Sequence, residues 1–435
     1  MSIPTLLETR KMSEIRHGSG HYADIIRSSF HFKTLRDTKE ILVYIDGIYK
    51  TGAESIIEEE CQKIIPDCTT YKCKEVINTI RRETYVPRDQ GFDSYENLIN
   101  LQNGILNLDT ENLQPHSANL LFRVQLPVNY DQNAKCEQLM KYLDQGLPEE
   151  KNKISALEAL ASTLLPNTHL EKMFMNVGSG ANGKSTYLKI VERFLGQENV
   201  SNISIHDMES DRFAKAGLDG KLANIYADIS RKEIPELGAI KAIISSDSIE
   251  VQRKNQHRFK MRNTAKLIFS CNELPELGED SHAVYRRLVL IEWNQRFTHD
   301  DKNHKINPNL IEELTTEQEL SGILNLLLPY VQKIKKNGKL TFDENSLKLR
   351  SIWAQKADPI GTFLDSCIEQ DFETKTSKVN IFQAFCKWCK EQKITPKKEK
   401  AFNYKVSQKF GIISTVGRIE NKPTRLWEGI KILSV

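Results

Sequence analysis

The chain lacks any apolar run of about 18 or more residues, so no membrane-spanning helix is expected and no membrane partner. It also lacks a second cysteine pair at zinc-ligand spacing. Eight cysteines are scattered over 435 residues. The one C-x-x-C, Cys386 and Cys389, lies in Ile381-Phe-Gln-Ala-Phe-Cys-Lys-Trp-Cys389, whose apolar spacing is that of an amphipathic helix. Buried thiols explain that pair better than a metal site. With no disulfide framework, a reducing cytoplasmic setting is expected. The opening residues, Met-Ser-Ile-Pro-Thr-Leu-Leu-Glu-Thr-Arg-Lys11, have no basic start followed by an apolar core, which argues against a secretory leader. An excess of one charge is missing too. Lys and Arg number 61 against 58 Asp and Glu, a net charge of +3 that names no partner by itself. There is no internal repeat and no low-complexity tract. At 39% hydrophobic and 27% charged, the composition is that of an ordinary globular chain of several domains.

What is present is more specific. Residues 178–185 read Gly-Ser-Gly-Ala-Asn-Gly-Lys-Ser, a complete G-x-x-x-x-G-K-[ST] motif. Gly178, Gly180 and Gly183 allow a tight turn whose N–H groups, with those of Ser179, Ala181, Asn182 and Thr186, can face phosphate oxygens. Lys184 can reach the β- and γ-phosphates, and Ser185 offers a hydroxyl to Mg²⁺. Lys172-Met-Phe-Met-Asn-Val177 before the motif predicts a strand. Thr186-Tyr-Leu-Lys-Ile-Val-Glu-Arg-Phe-Leu195 after it predicts a helix, whose N-terminus favours anions. ATP with Mg²⁺ is the expected ligand.

A phosphate-binding motif alone does not separate kinases, switches and motors, but the later strands narrow the choice. Lys221-Leu-Ala-Asn-Ile-Tyr-Ala-Asp228 predicts a strand ending in a carboxylate, which is either a Mg²⁺ partner for Ser185 or a strand-end cap. Lys266-Leu-Ile-Phe-Ser-Cys-Asn272 predicts a buried strand ending in an amide able to orient water or sense the γ-phosphate; a turn Asn before Glu273-Leu-Pro275 is the plain alternative. Arg286 and Arg287 precede the apolar Leu288-Val-Leu-Ile291. They are either surface residues or charge-stabilising groups for a neighbouring active site.

This order of motifs resembles the superfamily 3 helicases, specifically the phage, plasmid and poxvirus-type primase-helicases. The resemblance covers roughly residues 40–300, with Asn103-Gly-Ile-Leu-Asn-Leu-Asp109 and Leu126-Pro-Val-Asn-Tyr-Asp131 similar to the domain that precedes the family's core. It implies an α/β fold with an AAA+-like P-loop ATPase core over 151–337, an α+β N-terminal accessory domain over 41–150 behind a lead-in of 1–40, and a homo-hexameric ring. It implies Lys184, Asp228, Asn272 and one of Arg286 and Arg287 as catalytic groups, with Ser185 and Asp228 on the metal. The family often has two adjacent carboxylates on its acidic strand. Here Ile229 and Ser230 follow Asp228, and Glu233 is the next acid, so the general base is open. Too few residues precede position 41 for a primase domain, so the helicase part alone is expected, working with a separate primase or polymerase in a host cell's cytoplasm or nucleoid.

Residues 251–262, Val-Gln-Arg-Lys-Asn-Gln-His-Arg-Phe-Lys-Met-Arg, are basic without a single acid. They read as a hairpin turning at Lys254-Asn255, or as a solvated loop. By resemblance the hairpin grips single-stranded DNA with Arg253, Lys254, His257, Arg258 and Lys260, with His257 or Phe259 near bases or sugars, and Lys241 and Asp247 couple it to the nucleotide. Residues 350–435 predict helices over 358–369 and 379–391, a third capped by Thr395 with Pro396 at its first position, then two strands. That order is a winged-helix domain. Lys397, Lys398, Lys400, Lys405, Arg418, Lys422 and Arg425 would face phosphates, while Trp388 and Trp427 are core. Such modules also dock proteins. The expectation is an ATP-dependent replicative DNA helicase acting on single-stranded and forked DNA. The alternative is a nucleotide-switched initiator that binds an origin without processive unwinding.

Overall fold

The computed structural model describes residues 18–433 except 89–90, 168, 231–233, 235, 246, 279–281, 298–306, 393 and 420–421. Glu233 lies outside the described residues.

The N-terminal unit begins earlier than residue 41. Helix α1 (Ser19–Ser29) and strand β1 (Phe32–Leu35) precede the hairpin of β2 (Ile41–Ile45) and β3 (Ile48–Lys50), and helices α2 (Ala53–Ile64) and α3 (Thr70–Glu83) lead to β4 (Tyr85–Val86). The sheet runs β3-β2-β1-β4. Asp46 and Gly47, at φ +52° and +89°, make the hairpin turn that the sequence signals. Ala23, Ile26 and Phe32 share one core with Ile41, Val43, Ile57, Val76 and Ile80. Residues 19–35 are therefore part of this unit and not a lead-in: their apolar residues supply one wall of its core.

A second sheet, β5 (Leu98–Leu101), β6 (Gly104–Asn107) and β7 (Leu113–Gln114), follows. Its Ile99, Leu101 and Leu106 pack with α4 (Glu137–Gly146), α5 (Glu150–Ser162) and the later core, so burial is continuous across residue 150.

The central sheet is parallel throughout, in the order β14-β8-β13-β10-β9. Its strands are β8 (Met173–Val177), β9 (Val200–Ser201), β10 (Ala223–Tyr226), β13 (Lys266–Cys271) and β14 (Leu288–Glu292). Every residue of β8 and β13 is buried, as expected of parallel strands covered on both faces. Alternation divides the side chains. Phe174, Ile268, Val289 and Ile291 face α5, α6 (Lys184–Leu195) and α11 (Glu317–Asn337), with α10 (Leu310–Leu314) alongside. Met173, Met175, Leu267, Phe269, Leu288 and Leu290 face the opposite layer. That layer holds α7 (Ile205–Ser210), α8 (Gly238–Ile244), the hairpin strands β11 (Ser248–Gln252) and β12 (Arg258–Arg262), α9 (His282–Tyr285) and α12 (Ser346–Ala357). Each such large apolar side chain contributes about 1.5–3 kcal/mol. Helix α11 lies directly on the backbone before α4: a Cβ on Gly322 would stand 2.2 Å from the Lys135 carbonyl carbon. From the same helix Glu319 accepts from Gln138 N and Leu139 N and caps α4.

Lys266 opens β13 fully buried. Its Nζ donates to Leu165 O at 2.8 Å and Thr264 O at 2.7 Å, and burial pushes its pKa down to about 7. The unfolded chain holds this proton up to about pH 10. Between those values the unfolded state binds more protons, so stability rises with pH, by at most about 1.4 kcal/mol per unit. Below that window both states are charged and the folded one bears the burial cost in full. Thermal melts from about pH 6 to about pH 9 should show a rising Tm, and Lys266→Met should flatten the rise. An unchanged slope in the variant would assign the pH dependence elsewhere.

The C-terminal unit runs α13 (Pro359–Cys367), β15 (Ile368–Ser377), α14 (Lys378–Glu391), α15 (Glu399–Phe410), β16 (Ser414–Ile419) and β17 (Lys422–Ile432), with sheet order β15-β17-β16. Phe363, Phe385, Trp388, Phe402 and Trp427 fill its core. Two details depart from the sequence reading. The first helix stops at Cys367, because residues 368–377 pair with β17 through a bulge between Asp371 and Lys375. The third helix starts at Glu399, not after Thr395, because the backbone is still extended at Lys398, which is its N-cap at φ −60° and ψ 142°. No helix among the described residues is long and apolar enough to cross a membrane.

Candidate nucleotide site and basic hairpin

In open α/β sheets ligands bind beyond the carboxyl ends of the strands, and the Gly178–Ser185 loop stands there, between β8 and α6. Gly180, Ala181 and Gly183 take left-handed φ of +94°, +50° and +94°. Gly178 is needed for space: a Cβ there would lie 2.1 Å from Asn182 Nδ2 and 2.4 Å from Trp293 O. The loop is shaped from beneath. Buried Asn182 donates through Nδ2 to Trp293 O at 3.1 Å, Trp293 Nε1 donates to Asn176 Oδ1 at 2.9 Å, and Tyr142 OH donates to Gly183 O at 2.6 Å. The Tyr142 and Tyr187 rings lie 6.2 Å and 5.5 Å from the Trp293 ring. Ser179, Ala181 and Ser185 are exposed, and Thr186 is half-buried. By position, the N–H groups of Ser185 and Thr186 have no acceptor inside the helix.

Lys184 Nζ donates to Gly178 O at 2.5 Å, Asn182 Oδ1 at 3.1 Å and Asn272 Oδ1 at 3.3 Å. Burial pulls its pKa below the ordinary lysine range, opposed by the nearby Cys271 and Asp228. Asn272 in turn donates from Nδ2 to Asp228 Oδ1 at 3.3 Å. Asp228 stands two residues past the end of β10, exposed, with a left-handed φ of +64°, a costly conformation for a residue other than glycine. Lys184, Asn272 and Asp228 thus form one line across the ends of β8, β13 and β10. A hydroxyl and a carboxylate, Ser185 and Asp228, are hard oxygen donors of the kind Mg²⁺ takes when substrate phosphates complete its shell. No group of three or more His, Cys, Asp or Glu side chains among the described residues forms a metal site of its own.

Arg286 and Arg287 are not part of that line. They precede β14, whose Leu288 pairs with Met173 and whose Glu292 pairs with Val177, so they stand at the opposite end of the sheet, about 17 Å away by strand rise. Arg287 is turned inward, donating to Ala283 O and to Glu171 at 2.9 Å. Arg286 is the more exposed, 52% against 12% for the side chains, with Glu171 at 3.5 Å.

The basic segment is a hairpin. Asn255, at φ +62°, lies in its turn. β12 alternates, with Phe259 and Met261 buried and Arg258, Lys260 and Arg262 exposed. Phe259 cannot reach bases or sugars: it is 3% exposed, because that face completes the core. Lys254 and His257 are exposed. Arg258 pairs with Glu250 at 3.2 Å, and Arg253 is held by Asp219 and Glu40. Asp247 is bound to Ser245. In the C-terminal unit Lys398, Lys400, Arg418 and Arg425 are exposed. Lys405 pairs with Asp358, and Lys397 with Glu273 at 2.5 Å, so neither is an uncommitted cation.

Sequence reasoning missed Tyr142, Trp293 and Asp219. Each acts across more than thirty residues of chain, and no local motif marks it.

Two family models match the chain: "D5 N terminal like" over residues 23–148 and "Family of unknown function (DUF5906)" over residues 176–287. A protein of African swine fever virus named as a primase is 20% identical over 384 residues, covering 81% of this chain and 40% of that protein. A protein of Acanthamoeba polyphaga mimivirus named as a helicase is 23% identical over 257 residues, covering 53% of this chain and 26% of that protein. The chain therefore spans well under half the length of these relatives. Among solved structures, the C-terminal region of NrS-1 matches over 96% of this chain and 100% of that chain, at 14% identity and a TM-score of 0.49. The chain combines a D5 N terminal like segment with a DUF5906 segment and is related to viral proteins named for primase and helicase.

Proposed function

We propose that the protein is an ATP-dependent replicative DNA helicase of a virus, plasmid or other mobile element, a ring-forming motor of the superfamily 3 type. The observation that supports this most is the hydrogen-bonded line Lys184–Asn272–Asp228 across three parallel strand ends. The Asn strand separates the loop strand from the acidic strand, an order that supports reading the sheet as an AAA+-like P-loop core. On this reading the loop N–H groups and Lys184 hold the ATP phosphates. Ser185 and Asp228 would hold Mg²⁺, which when bound would neutralise the charge developing on the phosphates. Asn272 orients the attacking water, and Arg286 serves a neighbouring subunit in a hexamer. The C-terminal unit runs helix–strand–helix–helix–strand–strand, an order that supports reading it as a winged helix.

Lys254, exposed at the hairpin turn, is the grip on single-stranded DNA that this reading needs. Strand displacement on a forked duplex should require ATP and Mg²⁺. Lys254→Ala should keep DNA-free hydrolysis and lose about tenfold in DNA-stimulated hydrolysis, a cost of roughly 1.4 kcal/mol. A wild-type protein that binds DNA and hydrolyses ATP yet displaces no strand would instead be an initiator that marks or melts an origin. Unaltered unwinding by the variant would remove the hairpin from the DNA path.

A further inference from the structure

Where the N-terminal unit, the core and the basic hairpin meet, a charge cluster stands apart from the nucleotide site. Asp219, whose side chain is 5% exposed, accepts from three guanidiniums: Arg88 at 2.6 Å, Arg253 at 3.0 Å and Arg123 at 3.3 Å. Arg88 also pairs with Asp37 at 2.6 Å, Arg123 with Asp93 at 3.1 Å, and Arg253 with Glu40 at 3.4 Å. The Phe259 ring is faced by Arg88 at 4.3 Å and by Arg253 at 5.4 Å.

The three arginines are not equivalent. The side chains of Arg88 and Arg123 are 8% and 19% exposed, that of Arg253 34%. Losing Arg88 or Arg123 would weaken the pairing of a buried carboxylate from within, where an uncompensated charge is expensive. Losing Arg253 leaves Asp219 with two charge-assisted partners, leaves Phe259 with Arg88, and returns Glu40, 29% exposed, to water. Arg253 is the member that can leave at least cost. The two carboxylates that hold it offer a guanidinium the same kind of acceptors as phosphate oxygens.

We propose that Glu40 and Asp219 park Arg253 as stand-ins for nucleic-acid phosphate, so that single-stranded DNA must displace them to engage it. The N-terminal unit thereby holds the hairpin in a self-inhibited position. The inference rests on reading the hairpin as the DNA grip. Glu40→Gln weakens the parking contact at a partly exposed position and leaves Arg88, Arg123 and Asp219 in place.

The test is fluorescence anisotropy of a labelled oligothymidylate with the full chain over a salt series. Glu40→Gln should bind about fivefold tighter, with the slope of log K against log salt steeper by roughly 0.7, the value of one added phosphate contact on a single strand. Arg253→Ala in the Glu40→Gln background should abolish the gain. Glu58→Gln, the same charge change on the exposed face of α2, should not reproduce it. Equal binding by Glu40→Gln, a gain that survives Arg253→Ala, or an equal gain from Glu58→Gln would each overturn the latch. Hydrogen exchange of the turn amides 253–257 without DNA gives an independent readout. Faster exchange in Glu40→Gln supports the latch even if no DNA binds, which would refute only the DNA reading; unchanged exchange overturns the latch whether or not DNA binds.

Discussion

On the proposed reading, Lys184→Ala should abolish ATP hydrolysis while leaving the protein folded. Lys184 is buried, its ammonium having two acceptors in its own loop and a third on Asn272. Burial disfavours its charge, so deleting it relieves a desolvated cation and should not lower the melting temperature. If the loop holds ATP as proposed, the loss should fall on the phosphates, which would lose their charged partner where charge develops in the transition state. Removing one such donor typically costs about 10²–10³ in kcat, and a cation aimed at the transferred phosphoryl belongs at or above that range. Steady-state hydrolysis with a parallel thermal melt separates the two effects. Turnover near the wild-type rate would sink the nucleotide-site assignment, and with it the motor.

Arg286→Ala should cost as much, on the order of 10³ in kcat, without touching the residues that surround the loop. The sheet geometry makes the reason specific. Arg286 stands at the end of β14 opposite the loop, so the proposed role requires a nucleotide site on another subunit. Mixing the Lys184→Ala and Arg286→Ala proteins should then restore hydrolysis that neither shows alone, because an intact loop on one meets an intact arginine on the other. Absence of rescue would exclude Arg286 as a group acting between subunits. Arg287→Ala should behave differently and lower the melting temperature. Its guanidinium ties Glu171 to the carbonyl of Ala283, so its loss loosens the turn into β14 and leaves the chemistry to its neighbour.

Much of this was legible in the sequence wherever the signal was local. The loop motif, the turn at Asp46-Gly47 and the period-2 alternation of β12 are each written within a few residues, and the structure follows them. The end of the acidic strand was nearly legible: β10 stops at Tyr226, and Asp228 follows in a left-handed turn. What could not be read depends on distant partners. Phe259 is aromatic within a basic run and reads, with His257, as a residue near bases or sugars, yet the strand's alternation sends it inward onto the core. Residues 368 and 369 read as the end of a helix and the polar 370–377 as no element, yet β17 supplies their hydrogen bonds. Lys397, Lys405 and Arg253 count as free positive charge in one dimension and find carboxylates in three. Asp219 had no signal at all, since its three arginines come from positions 88, 123 and 253.

The bond between Lys397 and Glu273 has a mechanical consequence. Glu273 is the next residue after Asn272, and Lys397 stands just ahead of α15. A tug on the C-terminal unit is carried through one side-chain bond and a single peptide to the amide that touches both Lys184 and Asp228. Whatever loads the far end of the molecule therefore leans on the Gly178–Ser185 loop through a lever one residue long.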